Sequence, residues 1–304
     1  MAVVLAAIGA SVGAGAFAER RLGEGRAARL NRAVLTLLFW GLIPFVTFFS
    51  LARLHVTAGV GAGLALGYVE LGLVAVAAYF VGSRLLRLTR PCTGSLIVVS
   101  VLGNTGYLGL PLIAATLGSG ALAAGIAWDS LISGPMFYIA AMAIGVGFGT
   151  RAGGTARERL STFVLRNPPL LAAVAGLLAP AALAPQALVD VAHGLVYALL
   201  PTGFFILGIN MAAEAEHGWL RLPLTRTVAT AMALRLLLAP ALLVALSALV
   251  VGVPKAYLVQ AAMPSGINSL VVAHAYGLDL RLTASSIAWT TAVALVAAVL
   301  VVAL

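Results

Sequence analysis

The chain has 304 residues, of which 62% are hydrophobic and 9% charged, and its mean hydropathy is +1.10. No soluble domain can hide that much apolar surface, and the apolar runs recur at the roughly 17 to 25 residues a helix needs to cross about 30 Å of hydrocarbon. The formal charge of +9 sits in the loops between those runs, so it reads as membrane topology, with the lipid bilayer as partner and no nucleic acid. Cys92 is the single cysteine, which excludes an intrachain disulfide. The four histidines lie far apart, so no metal or other cofactor is expected beyond a coupling ion, proton or sodium.

In chain order the apolar runs bounded by charge, Pro or Gly are 2–18, 33–52, 59–82, 94–117, 121–148, 166–184, 187–211, 225–251, 255–276 and 282–304. No basic residue precedes the first run, and Arg20, Arg21, Arg26, Arg29 and Arg32 follow it. It therefore reads as a retained helix rather than a secretory signal. A polar stretch from Thr150 to Ser161, with Arg151, Arg157, Glu158 and Arg159, divides the runs five and five. The expected organisation is a first five-helix repeat over 1–149, a linker over 150–165 and a second five-helix repeat over 166–304. With an odd number of crossings in each half, the second repeat enters the membrane inverted.

The halves show matching residues. Pro44 and Pro201 hold the same relative place in runs two and seven, and Thr105-Gly106 in run four matches Ser265-Gly266 in run nine. Each of the latter pairs then runs about a dozen residues to a glycine, Gly118 or Gly277. Of the 18 Lys and Arg residues, all but Arg53, Lys255 and Arg235 fall after odd-numbered runs. By the positive-inside rule those loops are cytoplasmic and both termini external.

Runs four and nine are wrong for plain helices. Gly103, Gly106 and Gly109 weaken the first, Pro111 removes an amide donor, and Asn104 and Thr105 place polar groups at membrane depth. Ala262-Met-Pro-Ser-Gly-Ile-Asn-Ser269 interrupts the second in the same manner. Two such broken helices crossing at mid-membrane are the usual pointer to a transporter's binding site. Past each break the amides and positive dipole end of the second half-helix point to the crossing and favour a carboxylate or similar anion. The unpaired carbonyls of the first half-helices suit a cation or proton. The residues offered to the anion are Asn104, Thr105, Ser265, Asn268 and Ser269; the plain alternative is that they only satisfy broken backbone or join helices.

Other polar residues lie inside the runs. Asp129 is either a proton or sodium coupling group or a carboxylate paired with Arg235 or capped by Ser130 and Ser133. Arg235 is expected to snorkel to the cytoplasmic surface. Glu70 is open between helix packing and a water-filled cavity. His274 and Asp279 read as solvated helix termini rather than a gate.

Leu102-Gly-Asn-Thr-Gly-Tyr-Leu-Gly-Leu-Pro-Leu112 resembles the crossover motif of the auxin efflux carrier family, which includes bacterial permeases. Val271-Val-Ala-His-Ala-Tyr-Gly-Leu-Asp-Leu-Arg-Leu-Thr-Ala-Ser285 is similar to the same family's pattern at the exit of its ninth helix. The resemblance implies an all-α polytopic membrane protein of ten transmembrane helices in two inverted repeats, with broken helices four and nine crossed. It implies a scaffold of helices one, two, six and seven and a transport domain of helices three to five and eight to ten. The activity it implies is export of organic anions by an elevator-like motion, and relatives of that type commonly pair as homodimers through the scaffold. By motif, Asn104 and Pro111 line the substrate site from helix four and Pro264 marks the break in helix nine; Thr105, Gly106, Ser265, Gly266 and Asn268 join them as candidate substrate-binding residues from the breaks themselves, Asn268 matching no motif position. The short linker fits the prokaryotic type, placed in the plasma membrane. Two alternatives are a sodium-coupled importer of the bile-acid symporter type and, more remotely, an intramembrane hydrolase using Ser265 or Ser269 with His274.

Overall fold

A backbone immersed in hydrocarbon has to close its own hydrogen bonds, and this one does so almost wholly as helix. The computed structural model describes residues 2–55, 57–151, 155, 157, 161, 165, 167–214 and 223–303. Glu158, Arg159, Arg166 and Arg221 of the expected basic loops, and most of the linker, lie outside the described residues. The helices are α1 (Ala2–Leu22), α2 (Gly25–Leu51), α3 (Ala58–Leu85), α4 (Arg90–Val101), α5 (Thr105–Leu117), α6 (Ser119–Phe148), α7 (Pro168–Leu178), α8 (Gln186–Glu214), α9 (Arg226–Leu249), α10 (Lys255–Ala261), α11 (Asn268–Tyr276) and α12 (Leu280–Ala303). Among the described residues, α2, α3, α6, α8, α9 and α12 contain stretches long and apolar enough to cross a membrane. The apolar runs 94–117 and 255–276 are each divided, into α4 and α5 and into α10 and α11.

Several helix ends follow from single residues. Thr57, Asn167 and Thr225 cap α3, α7 and α9, each accepting with its side chain from the amide three residues on. Gly118 and Gly277 close α5 and α11 with φ of 81° and 68°, a backbone that a side chain would strain. Arg90 donates to the Gly147 carbonyl at 2.6 Å and Arg151 to that of His274 at 2.6 Å, so basic loop residues also serve helix C-termini. Asp279 accepts from the Leu282 amide at 2.8 Å and so caps α12, while His274 is exposed.

Proline controls the interior of the helices. The π turns Leu38–Leu42, Thr105–Gly109, Asp129–Ser133 and Leu234–Leu238 each end two residues before a proline: Pro44, Pro111, Pro135 and Pro240. A proline ring clashes with the carbonyl four residues back, and widening the preceding turn by one residue relieves that clash. The carbonyl left without its amide partner needs another donor, and for Pro135 it has one. The Tyr68 hydroxyl donates to the Leu131 oxygen. Pro201, by contrast, lies inside an uninterrupted α8, so the Pro44 and Pro201 match in sequence is not a match in backbone.

Packing follows from small residues against large. On α3, Val69, Leu73, Val76 and Phe80 are exposed, and Leu66, Glu70, Leu71, Val74 and Ala78 are buried, which leaves one face for lipid. Gly63 and Gly67, one turn apart, leave space for Tyr257 and Trp128, whose rings lie 5.1 Å apart between centroids. The largest buried core draws on α3, α4, α6, α9, α10 and α12. A second core joins α2, α7 and α8 to α5 and α6. Helices α1 and α8 meet backbone to backbone, with Gly15 against Phe205 and Gly208 against Val12.

Candidate functional site

The two interruptions meet. Leu102, Gly103 and Asn104 separate α4 from α5, residues 262–267 separate α10 from α11, and Gly103 pairs antiparallel with Ser265. The Asn104 amide donates to the Pro264 carbonyl and the Gly266 amide to the Leu102 carbonyl, both at 2.8 Å. The Ser265 hydroxyl donates to the Val99 carbonyl at 2.7 Å, and its amide donates to Thr290 Oγ1 at 3.1 Å. The gaps thus satisfy each other's backbone, as an irregular segment at membrane depth must. Gly266 is obligatory here, because a Cβ on it would lie 2.7 Å from the Gly103 oxygen.

Beside the joint lies a cavity of about 390 Å³. Asn104, Thr105, Gly106, Gly266 and Asn268 line it from the breaks, and Asp129, Ser130 and Ser133 from α6. Its aromatic wall comprises Phe39, Trp40, Tyr107, Phe137 and Tyr138, and it extends to Arg32 on α2 and Asn167 at the start of α7. Thr105 Oγ1 is 2.5 Å from Asp129 Oδ1 and 2.9 Å from Ser133 Oγ. A hydroxyl has one proton, so Thr105 donates to the carboxylate and accepts from Ser133. Asn104 is only 4% exposed, and what remains accessible belongs to the cavity lining.

The two helix starts differ. At α11, the Ser269 amide bonds the Gly266 carbonyl at 3.0 Å and the Leu270 amide bonds that of Ile267 at 2.9 Å, so most of its opening donors are spent locally. At α5 the helix starts directly after Asn104, and its first residues Thr105, Gly106 and Tyr107 line the cavity.

Other sequence candidates are placed elsewhere. Pro111 is buried in α5 away from the cavity lining, and Pro264 and Ser265 belong to the joint itself. Glu70 is 0% exposed and neither of its oxygens has a hydrogen-bond partner among the described residues. Arg235 does not snorkel. It is 1% exposed, and its guanidinium donates to four backbone carbonyls at the broken helix ends. Asp129 is accordingly not its partner, being held by Thr105. Ser265 is committed to a carbonyl, and Ser269 is buried while His274 is exposed on the same helix, so neither serine forms a dyad with that histidine. The aromatic wall was not anticipated, since a lone aromatic in an apolar run looks the same whether it faces lipid or a cavity.

Apolar helices of membrane length around a polar cavity at two interrupted helices define a multi-pass membrane protein. Residues 162–302 match the family described as membrane transport protein. An uncharacterized transporter of Methanocaldococcus jannaschii is 29% identical over 226 residues, which cover 72% of this chain and 70% of that protein. The chain is thus similar to membrane transport proteins, to the family over its second half and to the archaeal transporter over most of its length.

Proposed function

We propose that the protein is a secondary active carrier that exports small organic anions such as carboxylates, binding them at the joint of the two interrupted helices. The observation that carries this reading is Asn104, a nearly buried side-chain amide that lines a cavity directly before the opening amides of α5. The carboxylate accepts from the Asn104 side chain and from those amides, with Thr105, Gly106, Gly266 and Asn268 around it. The aromatic wall takes the organic part of the substrate.

The architecture we propose is ten membrane spans in two inverted repeats of five, with the divided pairs α4–α5 and α10–α11 crossing. Support comes from features at corresponding places: threonine caps at Thr57 and Thr225, and closing glycines at Gly118 and Gly277. Helices α1, α2, α7 and α8 act as the scaffold, and α3–α6 with α9–α12 move as an elevator. The largest core lies wholly within the second group, and the cavity lies between the two groups. Tyr107 packs on the scaffold at Gly203, where a Cβ would lie 2.6 Å from the ring. The cavity reaches Arg32 and Asn167, next to the basic loops that the positive-inside rule assigns to the cytoplasm. That is the loading side for an exporter in the plasma membrane with external termini. A homodimer through the scaffold completes the proposal, on the family resemblance.

Of Asp129, Glu70 and Arg235, Asp129 is the one that lines the cavity, so we assign it the coupling proton. Two carboxylates in one cavity repel, and a proton on Asp129 removes that cost while the anion is bound. The experiment is a melting-temperature screen of the purified protein against mono- and dicarboxylates, followed by transport of any stabilising compound in proteoliposomes. Asp129→Asn is expected to keep binding the anion, while its transport stops responding to an imposed pH gradient. Unchanged pH dependence in that variant removes the coupling role, and a screen in which no carboxylate stabilises the protein contradicts the anion reading.

A further inference from the structure

The family and the cavity leave Arg235 without a task, although few positions cost more to fill with a guanidinium than one that is 1% exposed inside a membrane protein. It sits on the π turn Leu234–Leu238 of α9. Its Nε donates to the Met263 carbonyl at 2.7 Å, Nη1 lies 3.4 Å from the carbonyls of Ser100 and of Val101, and Nη2 lies 3.4 Å from that of Gln260. These four acceptors have a common origin. Ser100 and Val101 end α4, and Gln260 and Met263 lie at and just past the end of α10. They lie where a helix terminus leaves carbonyls without their usual amide, although that of Gln260 also accepts from the Met263 amide at 3.2 Å.

Each helix terminus carries up to about half a negative elementary charge, so two of them facing one point present up to about one. A single positive charge matches that. Guanidinium supplies it together with five N–H donors in a fixed fork, which suits several carbonyls spread around a plane. The fit is tight: a Cβ on Gly103 would run into Nη2, so the joint keeps a glycine where the guanidinium passes. The Glu70 carboxylate is fully buried on the neighbouring α3 and is close enough to feel the same charge.

We propose that Arg235 is a built-in cation, filling the place at which the carbonyl ends of the two interrupted helices would otherwise take a soluble monovalent ion. Its guanidinium locks α4 and α10 to α9 through every stage of transport, and sodium has no site at the break. This goes beyond the anion reading and does not rest on it, since it concerns the opposite ends of the same helices.

The test uses the purified full chain without any substrate. Melting temperature is read in sodium chloride and in choline chloride at equal ionic strength, and binding of radioactive sodium is measured directly. The wild type is expected to melt at the same temperature in both salts and to bind no sodium. Arg235→Met, similar in length and uncharged, is expected to melt roughly 5 °C or more lower in choline and to regain part of the loss in sodium. Arg235→Lys keeps a charge but not the fork, and is expected to fold, melt at an intermediate temperature and ignore sodium. A wild type that binds or is stabilised by sodium overturns the proposal, as does an Arg235→Met protein as stable as wild type or one that sodium does not restore. Should Arg235→Met give no folded protein in either salt, a sodium response in Arg235→Lys would overturn it equally. None of these readings involves a carboxylate, so failure here leaves the anion site standing, and failure of the anion screen leaves this proposal standing.

Discussion

Gly266→Ala should lower the melting temperature of the detergent-purified protein by on the order of 10 °C, among the largest losses for so small a change. The added methyl would lie 2.7 Å from the Gly103 oxygen and 3.0 Å from its carbonyl carbon. Both are backbone atoms, so no side chain can swing away. Relief requires the two interruptions to separate, which breaks the bond from Gly266 to Leu102 and that from Asn104 to Pro264. Each is worth about 1 kcal/mol net in an ordinary setting, and each leaves a buried amide or carbonyl that costs a further 1 to 3 kcal/mol or so. The control is Gly72→Ala on α3, where nothing lies within 4 Å of the new atom. There the helix gains up to roughly 1 kcal/mol and the melting temperature should hold or rise. If the two substitutions shift melting alike, the joint is not the constraint described here.

Asn104→Ala should separate stability from binding. The Asn104 side chain lines the cavity, so its removal should cost the ligand-free protein little. Its backbone bond to Pro264 does not depend on the side chain. A carboxylate loses a charge-assisted hydrogen bond worth roughly 1.5 to 3 kcal/mol, which weakens its binding by about 10 to 100-fold. Equilibrium binding of the best-stabilising carboxylate to the variant measures this. A variant that melts with the wild type yet binds as tightly takes Asn104 out of the site, and one that fails to fold gives the amide a structural task instead.

Much of this was legible in the chain because the bilayer removes alternatives. Glycine, proline and asparagine at membrane depth cannot be idle, and the segments around Asn104 and Gly266 are where the helices stop. The proline rule was less visible. That Pro111 and Pro240 would each widen the turn before them is local physics, but which freed carbonyl finds which donor depends on partners such as Tyr68 and Leu131, 63 residues apart. Arg235 was misread for the same reason. Its distance from the helix end suggested an escape to the surface, whereas its acceptors Ser100 and Val101 lie 135 and 134 residues away in sequence. Ser265 was open between anion ligand and partner of broken backbone, because its residue type allows both, and the structure gives its hydroxyl to Val99. The aromatic wall, Tyr107 and Phe137 among it, had no periodic signal to set it apart from lipid-facing residues.

On the proposed reading an organic anion sits at the joint, held by Asn104 and the first amides of α5. Determining the structure of the protein with its stabilising carboxylate bound tests that most directly. A carboxylate oxygen is expected about 3 Å from the Asn104 side-chain nitrogen, with the organic part of the ligand against Tyr107 and Phe137. A carboxylate found on Arg32 at the cavity mouth, with Asn104 left unpaired, would contradict it.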